Sequence, residues 1–112
     1  MIRTDMYEAI QSAGMEVYLA GQAEGECIRE RIVIGDAGVI PEGKSLGKHI
    51  YAVTGFVPAS RSTDIAGLMD RARTALTSVR ALRPTGESSE GEIIDEIKAY
   101  AVTAEYYALC AL

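Results

Sequence analysis

The residue best suited to acid–base chemistry is His49, the single histidine of the chain. An imidazole titrates near neutrality and serves as a general base when a nucleophile and an orienting acid lie within hydrogen-bond reach. No G-x-S-x-G elbow and no cysteine in a nucleophile context accompanies it, so the sequence offers no ready-made relay. His49 reads as an ordinary residue at the start of a strand. The two cysteines, Cys27 and Cys110, are far apart and belong to no C-x-x-C pattern. One histidine and two isolated thiols do not make a zinc site, and no run of carboxylates has calcium-loop spacing, so no metal or cofactor is expected. Gly43-Lys44-Ser45, with Gly35, Gly38 and Gly47 around it, approaches a phosphate-binding loop. Such a loop needs a helix to open directly after the serine, whereas Gly47-Lys48-His49 and a strand-like stretch follow here. A mobile loop over 35–48 is the plainer expectation. No catalytic residue is assigned, and no enzymatic role is expected.

The remaining reactive groups are charges. Glu87, Glu90, Glu92, Asp95 and Glu96 cluster in one segment, while Arg61, Arg71, Arg73, Arg80 and Arg83 lie on or beside the stretch before it. A solvated loop explains the acids most simply. The sharper reading is that opposite charges on two regions pair one copy head to tail with the next, an arrangement that closes into a ring when the rotation permits. Arg71, Arg73, Arg80, Glu90, Glu92 and Asp95 are the candidate interface residues. Tyr106 joins them because tyrosine combines apolar area with a polar tip, although core packing accounts for it equally well.

These residues must be positioned by a small scaffold. The 112 residues form one domain, 1–112, with 48% hydrophobic and 24% charged residues, a composition too apolar for a disordered chain. Aromatics are few, six Tyr and one Phe with no Trp. A core of this size is modest, and association is a natural way to bury more. The net charge of −5 and pI near 4.8 work against binding the phosphate backbone, so sequence-specific nucleic-acid recognition is not expected. No apolar run reaches the roughly 20 residues of a membrane span. Without a signal peptide, reduced thiols in a cytosolic compartment are expected, a disulfide between the cysteines being the minor alternative.

Along the chain, Thr4 to Ala13 reads as a helix capped by Thr4 and stopped by Gly14, with Met6, Tyr7 and Ile10 on one stripe. Met15, Val17 and Leu19 alternate as a short strand, and Cys27 to Gly35 forms a second. His49 to Val57 resumes the alternation and Pro58 ends it. Ile65, Leu68, Met69, Ala72, Leu76 and Val79 make a helical stripe within Thr63 to Leu82, with Ser62 or Thr63 as cap and Pro84 as terminator. Residues 84–96 are polar and acidic, a loop. Residues 97–109 alternate as a strand, with a helix as the competing reading because of their alanines. The order α-β-β-β-α-β predicts an α+β two-layer sandwich: a mixed or antiparallel sheet of three or four strands with two helices on one face.

In this order the segments VYLAG, YAVTGFVP, STDIAGLMDRARTAL, RPTGE, IIDE and KAYAVTAEYYAL resemble the tail-completion and tail-terminator proteins of long-tailed bacteriophages, the head–tail joining family. The resemblance runs over nearly the whole chain and rests on the order and spacing of motifs that are weak one by one. It implies a virion protein, assembled in the bacterial cytoplasm as a homo-oligomeric ring, commonly a hexamer. That ring caps the tail tube and joins it to the head–tail connector proteins. It implies no enzyme activity and no cofactor, and its interface residues are not a fixed motif. Two other classes stay open: a small ligand-binding or regulatory α+β module, and an enzyme subunit whose site a partner completes.

Overall fold

The computed structural model describes residues 2–22 and 25–112. Helix α1 spans Ile2–Ser12 and helix α2 spans Ile65–Leu76. Among the described residues six strands follow in order: β1 (Val17–Leu19), β2 (Arg31–Pro41), β3 (Leu46–Pro58), β4 (Arg83–Ser88), β5 (Glu92–Ile94) and β6 (Ala99–Ala111). They join one mixed sheet in the order β1-β2-β3-β6-β4, with β5 also pairing β6. Only β1 runs parallel to its neighbour; the other pairings are antiparallel. The α+β class with two helices on a mixed sheet agrees with the sequence reading, but the sheet has six strands rather than three or four.

The core lies between the helices and one face of the sheet. Met6 and Ile10 of α1 and Leu68, Ala72 and Leu76 of α2 pack with Ile32, Ile34, Tyr51, Val53, Val57, Tyr106 and Ala108. Register explains the selection: Ile32 sits opposite Gly55, Ile34 opposite Val53, and Tyr51 opposite Tyr106, so these side chains share a face. Gly55 allows α2 to settle onto that face, because a Cβ there would stand 2.5 Å from the Met69 sulfur and 3.3 Å from Leu68. The reverse face carries Thr54 hydrogen-bonded to Thr103 at 2.9 Å, with Ala52 opposite Glu105.

Besides the second strand starting at Arg31 rather than Cys27, four expectations need correction. Helix α1 starts at Ile2, which puts Thr4 inside the helix instead of at its cap; Gly14, with φ +87°, does close it. Helix α2 is shorter at both ends than 63–82. A 3-10 turn over Ala59–Asp64 precedes it, and Asp64 accepts a hydrogen bond from Arg61 at 2.8 Å instead of capping the helix with its side chain. At the other end the hydroxyls of Thr77 and Ser78 donate to the carbonyls of Thr74 and Ala75, competing with helical propagation, and tight turns carry the chain to Leu82. The third correction concerns 35–48, which is no mobile loop. Strand β2 continues to Pro41 and β3 begins at Leu46, leaving a short hairpin turn. A bulge between Asp36 and Gly38 shifts the register there and masks the alternation. Finally, 84–96 is not one loop: β4 and β5 supply a ragged outer partner for β6. Its residues are mostly exposed on both faces, so no hydrophobic period marks them. The closing strand is extended as expected, and Ala99 and Ala101 are buried beside the point where the Cys27 N–H donates to Ile97.

Candidate functional site

The residues singled out in the sequence do not converge on one place. Arg71 donates to Glu30 at 2.6 Å and Arg73 to Asp70 at 3.3 Å, so both guanidinium groups on α2 have carboxylate partners within the chain. Arg80 is exposed beside a shallow cleft shared with Asp5 and Glu8. Tyr106 is buried beneath Arg73 in a cleft of about 240 Å³ walled by Leu76, Leu82 and Pro84. Burial pushes the Tyr106 hydroxyl above its ordinary pKa, and the nearby Arg73 charge partly offsets that. Glu90 lies between β4 and β5, Glu92 on β5 opposite Ala101, and Asp95 in the turn before β6. Ala101 and Tyr106 are five residues apart on β6, roughly 17 Å at the rise of an extended strand. The structure therefore brings Arg73 and Tyr106 together and leaves Glu90, Glu92 and Asp95 at another end of the sheet.

His49 does have an acidic partner. Its Nε2 lies 2.7 Å from Asp36 Oδ2 across the β2–β3 ladder, its ring stacks on Tyr51 with centroids 4.4 Å apart, and the Gly38 N–H donates to Asp36 Oδ1 at 2.9 Å. The Gly38 amide and His49 hold the Asp36 carboxyl below the usual carboxylate range. The pair is partly exposed on a strand ladder, and it anchors the bulge. Gly38, Gly43, Lys44 and Ser45 do fall at the spacing of a phosphate loop, but they serve the bulge and the hairpin turn, and a strand follows them. Among the described residues no group of three or more His, Cys, Asp and Glu side chains could hold a metal. No helix among them is long and apolar enough to cross a membrane.

The informative feature was not visible as a motif. The molecule measures 47 × 26 × 24 Å, and every large apolar side chain that is strongly exposed among the described residues lies toward one end of the sheet or the other. At one end the core stops near Tyr51 and Ala108, yet the strands run on as an arm made of β2 beyond its bulge, β3 from Leu46 to Ile50 and β6 from Tyr107 to Ala111. Val39 and Leu112 lie on one face of this arm, over Gly47, where a Cβ would come within 2.9 Å of both. Ile40, Leu46 and Leu109 are on the other, Ile40 and Leu109 flanking Lys48 across three strands. All five side chains are between 43% and 59% exposed. Pairing is secure nonetheless: Lys48 bonds Glu42 at 3.0 Å and sits 4.8 Å above the Tyr107 ring, and the Leu112 N–H donates to Ser45.

At the opposite end Ile28 and Ile93, 73% and 64% exposed, flank a groove of about 400 Å³ floored by Cys27, Pro58 and Ala59. Lys98, in the left-handed region at φ 53°, closes one side of it and bonds Glu26 at 2.9 Å. Burial raises the Cys27 thiol above its ordinary pKa, so it stays protonated and unreactive at neutral pH. Asp95 lines this groove, with Glu92 and Glu96 in the adjoining strand and turn, and none of the three has a cationic partner among the described residues. The exposed isoleucines were legible only one by one, since a lone apolar residue in a polar stretch is common on any surface. Compared with known proteins, the chain matches no protein-family model and no curated protein.

Proposed function

We propose that this chain is a structural virion protein of the phage head–tail junction or tail end. In this reading it assembles as a homo-oligomeric ring, with six copies as the expected number, that completes the tail tube and meets the connector. The observation that carries the reading is the arm: three paired strands that continue past the core with apolar side chains on both faces. Within this ladder Ile50 and Ala108 are buried, but Val39, Ile40, Leu46, Leu109 and Leu112 gain little cover from their own chain, and an apolar projection of this kind is suited to being covered by another protein. The order of motifs along the sequence supports the phage assignment specifically.

The test is assembly. Sedimentation and negative-stain microscopy of the purified chain, alone and mixed with the tail-tube and connector proteins of the same particle, are expected to give closed rings of one size. A chain that stays monomeric in both settings would sink the reading. A ligand-binding module is the other class; of its candidate sites the Ile28–Ile93 groove, at about 400 Å³, is of ordinary ligand-pocket size and the Arg73–Tyr106 cleft is smaller. At about 240 Å³ that cleft falls below the range of about 300–1,000 Å³ usual for small-molecule pockets.

A further inference from the structure

We infer that the groove between Ile28 and Ile93 receives the arm of a second copy of this chain, which makes the self-association heterologous. The inference rests on the assembling role proposed above and names the two surfaces that meet. Its first support is placement. Exposed large apolar side chains are confined to the two ends of a 47 Å molecule among the described residues, so each end has surface to cover and the middle does not. The second is shape. One end is a projection three strands wide, tipped by the Glu42–Ser45 turn, and the other is a groove with apolar walls. The third is charge. Lys44 at the tip of the arm has no carboxylate partner among the described residues, while Asp95, without a cationic partner among them, lines the groove beside the Glu26–Lys98 pair. Opposite charges flanking an apolar contact steer the encounter and fix its register.

Two different patches that bind each other cannot form a two-fold dimer through that contact alone. Each added copy exposes a fresh arm and a fresh groove, so growth ends only when the rotation closes a ring. The α2 arginines, already paired within the chain, are not required.

Complementing variants test this. Ile40→Asp with Leu109→Asp spoils the arm, and Ile28→Asp with Ile93→Asp spoils the groove; all four side chains are exposed, so thermal melts should stay close to the parent's. In sedimentation over a concentration series, each double variant alone is expected to run as a monomer. Mixed one to one, they should give a species of twice the monomer mass and nothing larger, because one intact contact remains per pair. Lys44→Glu should weaken assembly, and Asp95→Lys in the same chain should restore it. If the parent forms rings and the groove variant forms them equally well, the arm binds elsewhere; the pairing is then overturned while the assembling role stands. If the parent is monomeric at every concentration, with and without the tail proteins, both are overturned.

Discussion

Gly55 and Gly67 show how differently one residue type can act within a few ångströms of the same helix. Gly55 lies on β3 under α2, where an added methyl group would press on Met69 and Leu68. Gly55→Ala is expected to cost about 1–3 kcal/mol in denaturant unfolding, the usual range for overpacking a filled site. Gly67 sits in α2 with nothing within 4 Å of its missing Cβ. Gly67→Ala should gain about 0.5–1 kcal/mol, because alanine relieves the entropy that glycine loses in a helix. Equal effects at the two positions would show that α2 does not rest on the sheet as described. Surface charges matter less at this scale. Arg71→Ala removes an exposed ion pair with Glu30, and a change within about 1 kcal/mol is expected.

At the scale of elements, the Asp36–His49 pair links the arm to the body of the sheet. Asp36 has its pKa depressed in the fold, first by the Gly38 amide and then by His49. Its stabilising effect is therefore present above the carboxylate's unfolded pKa and is lost as pH falls through the lower folded value. Glu16 behaves alike, lowered by the Tyr18 hydroxyl and by Arg29. Stability should decline as pH drops below about 4, the unfolded carboxylate range, and Asp36→Asn should flatten part of that decline. Hydrogen exchange offers a local check: in Asp36→Ala the amides of Leu46–Ile50 are expected to exchange faster, while those of Val53 and Val57 keep their protection. Uniform loss across β3 would mean that the arm and body open as one unit.

How much of this was legible follows from the same elements. Strands and helices that press one face on the core, such as β3 from Tyr51 to Val57 or the Leu68–Ala72–Leu76 stripe, carry a period that can be read from sequence. The arm escaped because beyond Asp36 the strands leave the core and apolar residues fall on both faces; four glycines and a bulge then mimic a loop. Segment 84–96 escaped for the reason that edge strands bury little and need no pattern. The α2 arginines were visible as a basic patch, but their partners Glu30 and Asp70 could be assigned only in three dimensions.

For the whole molecule the governing fact is polarity from end to end. An acidic chain with net charge −5 repels its copies, so assembly through apolar ends should strengthen as salt screens that repulsion. The attraction between Lys44 and Asp95 works in the opposite sense. The expected outcome is a shallow optimum at intermediate ionic strength, read as assembled mass against salt. A steep, continuous loss with salt would instead indicate an interface held by charge, as the α2 arginines and the 87–96 acids would make it.

The position of β6 between β3 and the short outer strands has a kinetic consequence. Every β3–β6 pairing, from Pro58 with Ala99 to Leu46 with Ala111, must close a loop of dozens of residues before it gains a single ladder bond. Such non-local topology places folding toward the slow, millisecond-to-second regime of small domains. Until β6 pairs, one whole side of β3 stays open to any extended segment that arrives first. A chaperone that shields an unpaired strand should therefore raise the yield of this protein more than one that merely prevents collapse.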